Sequence, residues 1–335
     1  MIGEVRRSWH PGTALVGGLS ATKVGLDGAG QNALREPAMS YLSKWSFDPT
    51  LLAALVVVLL HELGLARLAK RSRPARSQSR RRRSLIFYSG IALLVLTVVS
   101  PIDHFAGDYF FVHMIEHVIL MFFAPYLIVA GAPWVPLAHG LPVRSRRRIG
   151  RWLLLGRWAR PLRTVGRFLS DGWVAVVALN IVMLVWHVPA AFDVAEQNAA
   201  IHVWLMHGSF VVAGILFWMQ VVPSYPFRPR LSPVQRIVAI VGTNWVMFLL
   251  ALSLSYFTTR SWYSVYDHVP GVTLSPFADQ QLGAAVLWIC GDFWALPALT
   301  YVIRRAIAEE GSASALFDRL LRREPVVPYK EIRRA

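Results

Sequence analysis

The chain has 335 residues, 55% of them hydrophobic, 16% charged and 12% aromatic, with a formal net charge of +16. A soluble domain carries about 25% charged residues, so the composition points to a membrane protein. The basic residues fall in short blocks between apolar runs rather than along one folded surface, which argues against a nucleic-acid partner, and the one cysteine, Cys290, excludes an internal disulfide framework and any cysteine-rich zinc or iron–sulfur site.

Residues 1–47 are polar and rich in Gly and Ala, and "TALVGGLSA" is too short and glycine-broken for a secretory apolar core. Met39 opens "MSYLSKWSFDPT" and offers a later start, which N-terminal sequencing would decide. A spanning helix needs about 20 predominantly apolar residues. Seven stretches qualify, at roughly 50–68, 85–102, 109–130, 172–188, 199–221, 235–256 and 281–303. The expected fold is therefore all-α: a polytopic transmembrane helix bundle over residues 48–305, with an N-terminal extension (1–47) and a basic tail (306–335).

The connections alternate in charge. "RLAKRSRPARSQSRRRR" follows the first span, "RSRRRIGRWLLLGRWARPLRTVGR" the third, and Arg228, Arg230 and Arg236 the fifth. "SPIDHFAGD" and "VPAAFDVAEQNAA" carry no Lys or Arg, and the stretch after the sixth span has only Arg260. Basic connections stay in the cytoplasm, so the N-terminus is expected outside and the C-terminus inside. The interleaved arginines, leucines and aromatics of "RWLLLGRWARPLRTVGRFL" suit a segment resting on the anionic lipids of the inner face, with a solvated linker as the alternative.

On this topology His104, His113, His117, His187, His202, His207 and His268 lie in outer connections or the outer halves of spans. Imidazoles are costly in hydrocarbon and face the bundle interior or water, so several at one depth suggest a shared site. In "HMIEH", His113 and His117 are four residues and about 6 Å of rise apart on one helix face. Imidazole suits Zn, Cu, Fe or Ni, and the methionines Met114, Met121, Met206 and Met219 shift the preference toward Cu(I), unless they simply fill the core. His202 and His207 are five apart, about 140° on a regular helix, so only an irregular helix would aim both at one ion, and His207 is the better candidate. His187 in "VWHVPAAFD" and His104 in "SPIDHFAGD" are either ligands or interfacial side chains satisfied by water. Asp279, Gln280 and Gln281 open the seventh span; Asp292 follows about 16 Å deeper, near mid-bilayer, as a structural hydrogen-bonding group or part of a proton path. Pro125 and Pro297 are expected to kink their helices. Asp103, Asp108 and Asp193 add negative charge at the outer mouth, which attracts cations.

The letters H-x-x-E-H also spell a zinc-protease motif, but here they begin a membrane span, and "HELGL" at 61–65 lacks a second histidine. Three other readings stay open: a membrane b-type haem protein with axial histidines, a proton- or ion-coupled transporter using Asp292 and the histidines, and a scaffold whose histidines merely pack.

The block "FYSGIALLVLTVVSPIDHFAGDYFFVHMIEHVILMFFAPYLIVAGAPWVPL" resembles the bacterial CtaG-type cytochrome c oxidase assembly factors, seven-span proteins of the cytoplasmic membrane. "VWHVPAAFD", "GILFW", "DQQLGA" and "GDFWALPAL" are similar to that family's later landmarks, and the likeness covers about residues 45–305. The resemblance implies a non-enzymatic role in maturing the oxidase by handling copper near the outer face. It implies His113 and His117 as ligands, with His207, His187 and Asp279 nearby, and as partners oxidase subunits and an extracytoplasmic copper donor. Two departures stand out: Glu116 where the family commonly has glutamine, and His202 one residue further from His207 than the family's usual pair.

Overall fold

A computed structural model describes residues 44–46, 49–70 and 74–310. The expectations for the N-terminal extension, including Met39, and for the tail beyond Glu310 lie outside these residues. Among them there is no strand, and six helices are long and apolar enough to cross a membrane: Thr50–Ala69, Gln78–Val99, Phe110–Gly131, Ile201–Val221, Pro233–Ser255 and Pro276–Glu309. A seventh crossing exists only if a bent pair is counted as one span.

The first two crossings are α1 (Thr50–Ala69) and α2 (Pro74–Val99). The stretch read as a loop after α2 is itself a short helix, α3 (Pro101–Asp108), whose N-cap Ser100 side chain accepts from Ile102 N. The third crossing is built from α4 (Phe110–Val118), a π-helical turn (Ile119–Phe123) and α5 (Ala124–Gly131). Pro125 has no N–H to offer the Met121 carbonyl, and the chain passes it with i→i+5 pairing, Ala124 N bonding Ile119 O. The kink expected at this proline is thus a π turn. This crossing is the centre of the bundle: 67% of its most apolar stretch is buried, against 11% for α1.

The arginine-rich connection folds into α6 (Trp134–Gly140), α7 (Val143–Leu155) and α8 (Arg160–Leu169). Gly64 of α1 and Gly140 of α6 let those two backbones touch, Gly64 against the Pro136 carbonyl and Gly140 against that of Leu60. The next helix, α9 (Gly172–Trp186), is shorter than the expected fourth span: its 15 residues rise about 22 Å. Its start is fixed by Asp171, whose carboxylate accepts from Trp173 N and Val174 N. That cap ends the preceding helix, and Arg157–Leu169 meets α9 at 86°. Trp158, Leu162, Val165 and Leu169 recur at helical spacing on one side, with Arg160, Arg163 and Arg167 on the other. Arg163 also ties this segment back to α7 through the carbonyls of Leu153 and Gly156.

Then come α10 (Pro189–Glu196), a second π-helical segment (Ile201–His207) continuing into α11 (Gly208–Val221), α12 (Pro233–Ser255) and α13 (Pro276–Glu310). The core gathers Phe110, Met114, Phe122, Phe192, Phe210 and Phe217, each at most 1% exposed, with Phe122 stacked on Trp294 at 4.3 Å. Asp292 makes the structural hydrogen bond that was one of the two roles expected of it, but from an exposed position: the buried stripe of α13 runs through Ala284, Leu287, Trp294, Ala298 and Val302, and Asp292 falls off it, accepting from Asn244 Nδ2 of α12 at 3.3 Å.

Candidate metal centre

The start of α4 is held from across the chain. Tyr109 at its N-cap supplies no side-chain bond; instead the Asp279 carboxylate of α13 accepts from Phe110 N (2.7 Å) and Phe111 N (2.9 Å). Phe110 stacks on Tyr263 at 4.5 Å. One turn on, His113 and His117 share a face with Nε2 atoms 2.6 Å apart, and both are fully buried.

Opposite them stands the second π-helical segment. Asn198 Oδ1 accepts from Ala200 N and Ile201 N at its start. An i→i+5 ladder stacks residues five apart, so this segment is the irregular helix that aiming both His202 and His207 at one ion requires. Their Nε2 atoms are 2.8 Å apart with the rings perpendicular. The His202 ring stacks on His113 at 5.2 Å, and that of His207 is 6.1 Å from His117.

Hydrogen-bond partners assign the tautomers. The Tyr266 hydroxyl donates to Ala106 O (2.9 Å), so it receives the proton of His113 Nδ1 (3.0 Å), which leaves His113 Nε2 with a lone pair. His187, just past α9, bonds Met183 O through Nδ1 at 2.6 Å, so its Nε2 also carries a lone pair. His202 Nδ1 lies 2.9 Å from Glu196 Oε1, at ion-pair distance, although that oxygen is off the hydrogen-bond line. Orienting one imidazole nitrogen with an oxygen partner so that the other faces inward is the arrangement of metal-ligating histidines.

Glu116 completes the cluster. It is fully buried, neither carboxylate oxygen has a hydrogen-bond partner among the described residues, and Oε1 is 3.9 Å from His207 Nε2. One ligand atom each from His113, Glu116, His202 and His207 lie within 4.8 Å of one another. Ligands around a tetrahedral ion with bonds of about 2.0–2.1 Å sit roughly 3.3 Å apart, so a modest contraction would close this set on an ion. His117 Nδ1 and His207 Nδ1 are likewise buried without a partner. Glu196, 3.6 Å from His113 Nδ1, stands at the rim. In the loop after α12, burial and the negative charge of Glu196 and Asp279 hold the Tyr266 phenol well above its ordinary 10. It therefore remains a neutral donor to Ala106 at working pH.

The sequence candidates divide. His113, His117, His202 and His207 come together, with Met114 and His187 adjoining them through an Sδ–Nε2 contact of 3.3 Å. Asp279 does not join: both its oxygens are spent on the α4 amides. His104 is also apart, its side chain 45% exposed and 3.8 Å from Asp108. Glu196, Tyr263 and Tyr266 were not among the sequence candidates. Glu196 has one signal, an acidic residue ending "FDVAE" beside the histidine helix; the tyrosines, about 150 residues from His113, have none.

Fold and site together define a multi-pass helical membrane protein with a buried imidazole–carboxylate cluster at the end of the bundle away from its arginine-rich connections. Residues 59–309 match the model of the cytochrome c oxidase caa3 assembly factor family (Caa3_CtaG), and the chain belongs to that family. It is 28% identical over 263 residues to Uncharacterized protein Mb0105 of Mycobacterium bovis and, equally, to Uncharacterized protein MT0111 of Mycobacterium tuberculosis. The match covers 74% of this chain but only 37% of either relative, so the chain spans little more than a third of the relatives' length. No solved structure matches.

Proposed function

We propose that this protein is an assembly factor for cytochrome c oxidase that holds copper at the outer face of the cytoplasmic membrane and yields it to the maturing enzyme. His113, His202 and His207 supply imidazole nitrogens, Glu116 a carboxylate, and His117 a further nitrogen within reach of His113. The observation that supports this reading is the carboxylate at the centre of the cluster: two buried Glu116 oxygens with no hydrogen-bond partner among the described residues, beside four imidazoles of which His113 has its Nδ1 proton engaged by Tyr266. Delivery is ligand exchange, with no bond of an organic substrate made or broken, so the reading is non-enzymatic. The oxidase subunits receive the ion and an extracytoplasmic donor supplies it. The alternation of basic connections supports a histidine end facing outside, where such a donor has access.

The haem alternative, which needs axial histidines on facing helices, loses support because the space between those helices is taken up by side chains: the His202 ring stacks on His113 at 5.2 Å, and Glu116 Oε1 stands 3.9 Å from His207 Nε2. The transporter alternative loses its main element because Asp292 faces outward, away from the cluster. The test is copper content after loading the detergent-purified protein with Cu(I) under reducing conditions, beside a His113→Ala/His117→Ala double variant. Stoichiometric copper that the variant loses supports the reading; negligible copper in both overturns it.

A further inference from the structure

Beside the imidazole–carboxylate cluster lies a pair of donors of different character. His187 is 2% exposed and Met114 fully buried, and His187 Nε2 faces Met114 Sδ at 3.3 Å. The proton of His187 is committed through Nδ1 to the Met183 carbonyl. Its Nε2 therefore presents a lone pair to a sulfur that has only lone pairs to offer. Two such atoms facing one another in a dry core, with no donor between them, repel unless something cationic lies between them. His117 stands between this pair and the cluster. Its Nε2 is 2.6 Å from His113, its ring is 5.5 Å from that of His187, and its Nδ1 is buried with no partner.

We propose that the protein has two neighbouring metal stations: the His113–Glu116–His202–His207 set, and a second, softer one made by Met114, His187 and His117. The proposal rests on the metal-binding reading above and deepens it. The two donor sets differ in what they select. Imidazole with carboxylate accepts several borderline cations, Zn(II) among them, whereas thioether with two imidazoles favours Cu(I). The second station is thus a filter: an ion that arrives at the cluster is passed inward only if it is soft. Transfer exchanges the imidazole and carboxylate donors of the first set for the imidazole and thioether donors of the second, around an ion whose charge and oxidation state do not change. His117, reachable from both sides, is the shared ligand.

The experiment is a Cu(I) titration of the full chain in detergent against a competing chelator, read as copper per chain and by X-ray absorption, with a parallel Zn(II) titration. The wild type is expected to bind two Cu(I) but one Zn(II), with sulfur scattering at the copper. Met114→Leu, nearly isosteric, is expected to bind one Cu(I), lose the sulfur scattering and keep its Zn(II). His202→Ala with Glu116→Gln is expected to keep one sulfur-bound Cu(I) and lose Zn(II). One Cu(I) in the wild type without sulfur scattering, unaffected by Met114→Leu, overturns the second station and leaves the first. No copper in any form overturns the metal reading itself.

Discussion

Replacing Glu116 by methionine separates what this residue does for the fold from what it does for the site. Both carboxylate oxygens are buried and lack hydrogen-bond partners among the described residues, and the residue is fully enclosed. A buried polar atom left unpaired costs about 1–3 kcal/mol, and methionine fills a similar volume without either oxygen. Glu116→Met is therefore expected to stabilise the metal-free protein by about 2–4 kcal/mol, two such penalties less the imperfect fit of the new side chain. The same change removes the only carboxylate of the four-residue cluster, and metal affinity is expected to fall at least tenfold, as even losses of supporting residues cost about 10–100-fold. Glu116→Gln, which keeps an acceptor oxygen, falls between the two in both respects. The assay is denaturant unfolding in detergent with chelator present, paired with competitive metal titration. A metal-free Glu116→Met protein less stable than wild type would refute the reasoning, because it would mean the carboxylate is satisfied by something that the bundle already holds.

Tyr266→Phe removes both the acceptor for His113 Nδ1 and the donor to Ala106; metal affinity is expected to drop about 10–100-fold with the fold retained, measured by the same titration. Burial raises the phenols of Tyr263 and Tyr266 above their ordinary 10, so the folded state favours the neutral form. Their contribution is complete below about pH 10 and is lost as pH rises beyond it. An ultraviolet titration should therefore show both ionising only with unfolding, and ionisation of either in the folded protein near pH 10 would contradict this. Asp279→Ala uncaps α4 at Phe110 and Phe111 and should cost about 1–2 kcal/mol in unfolding experiments, Asp279→Asn less. Gly214→Val would drive a side chain into the Met121 carbonyl and Pro125; a loss of about 1–3 kcal/mol is expected, read as a lower thermal midpoint.

The helices and their apolar runs were legible because a bilayer imposes a length and a composition on each crossing. The fourth expected span, 172–188, is the shorter helix α9, which starts where expected with Asp171 as its cap; what hydropathy did not reveal is that the segment before it is a helix meeting it at 86°. In the site, His113 and His117 could be paired from their spacing alone, since an α-helix fixes the angle between them. Asp279 was rightly placed near them in space but not in role, because nothing local reveals that its oxygens reach the amides of a helix 169 residues away. For Asp292 the bonding to a neighbouring helix was legible but the face was not: depth follows from position along a helix, whereas the face depends on which neighbours take the inward stripe. Glu116 was visible within "HMIEH", yet its isolation from every donor is a property of the packed bundle.

The second π-helical segment bears on how such a site changes over generations. His202 and His207 stand five residues apart, one more than the four that bring His113 and His117 together on an α-helix, so the segment reads as an α-helical pair with one residue added. In a rigid α-helix such an insertion would rotate everything before it by about 100° and scatter the ligands. Here the extra residue is absorbed within Ile201–His207, the two imidazoles still meet at 2.8 Å, and α11 continues undisturbed from Gly208. The reading frame of the helix, unlike the identity of its histidines, has slack. Length variants of this segment are therefore a natural place to look for lineages that retuned the site without substituting a single ligand.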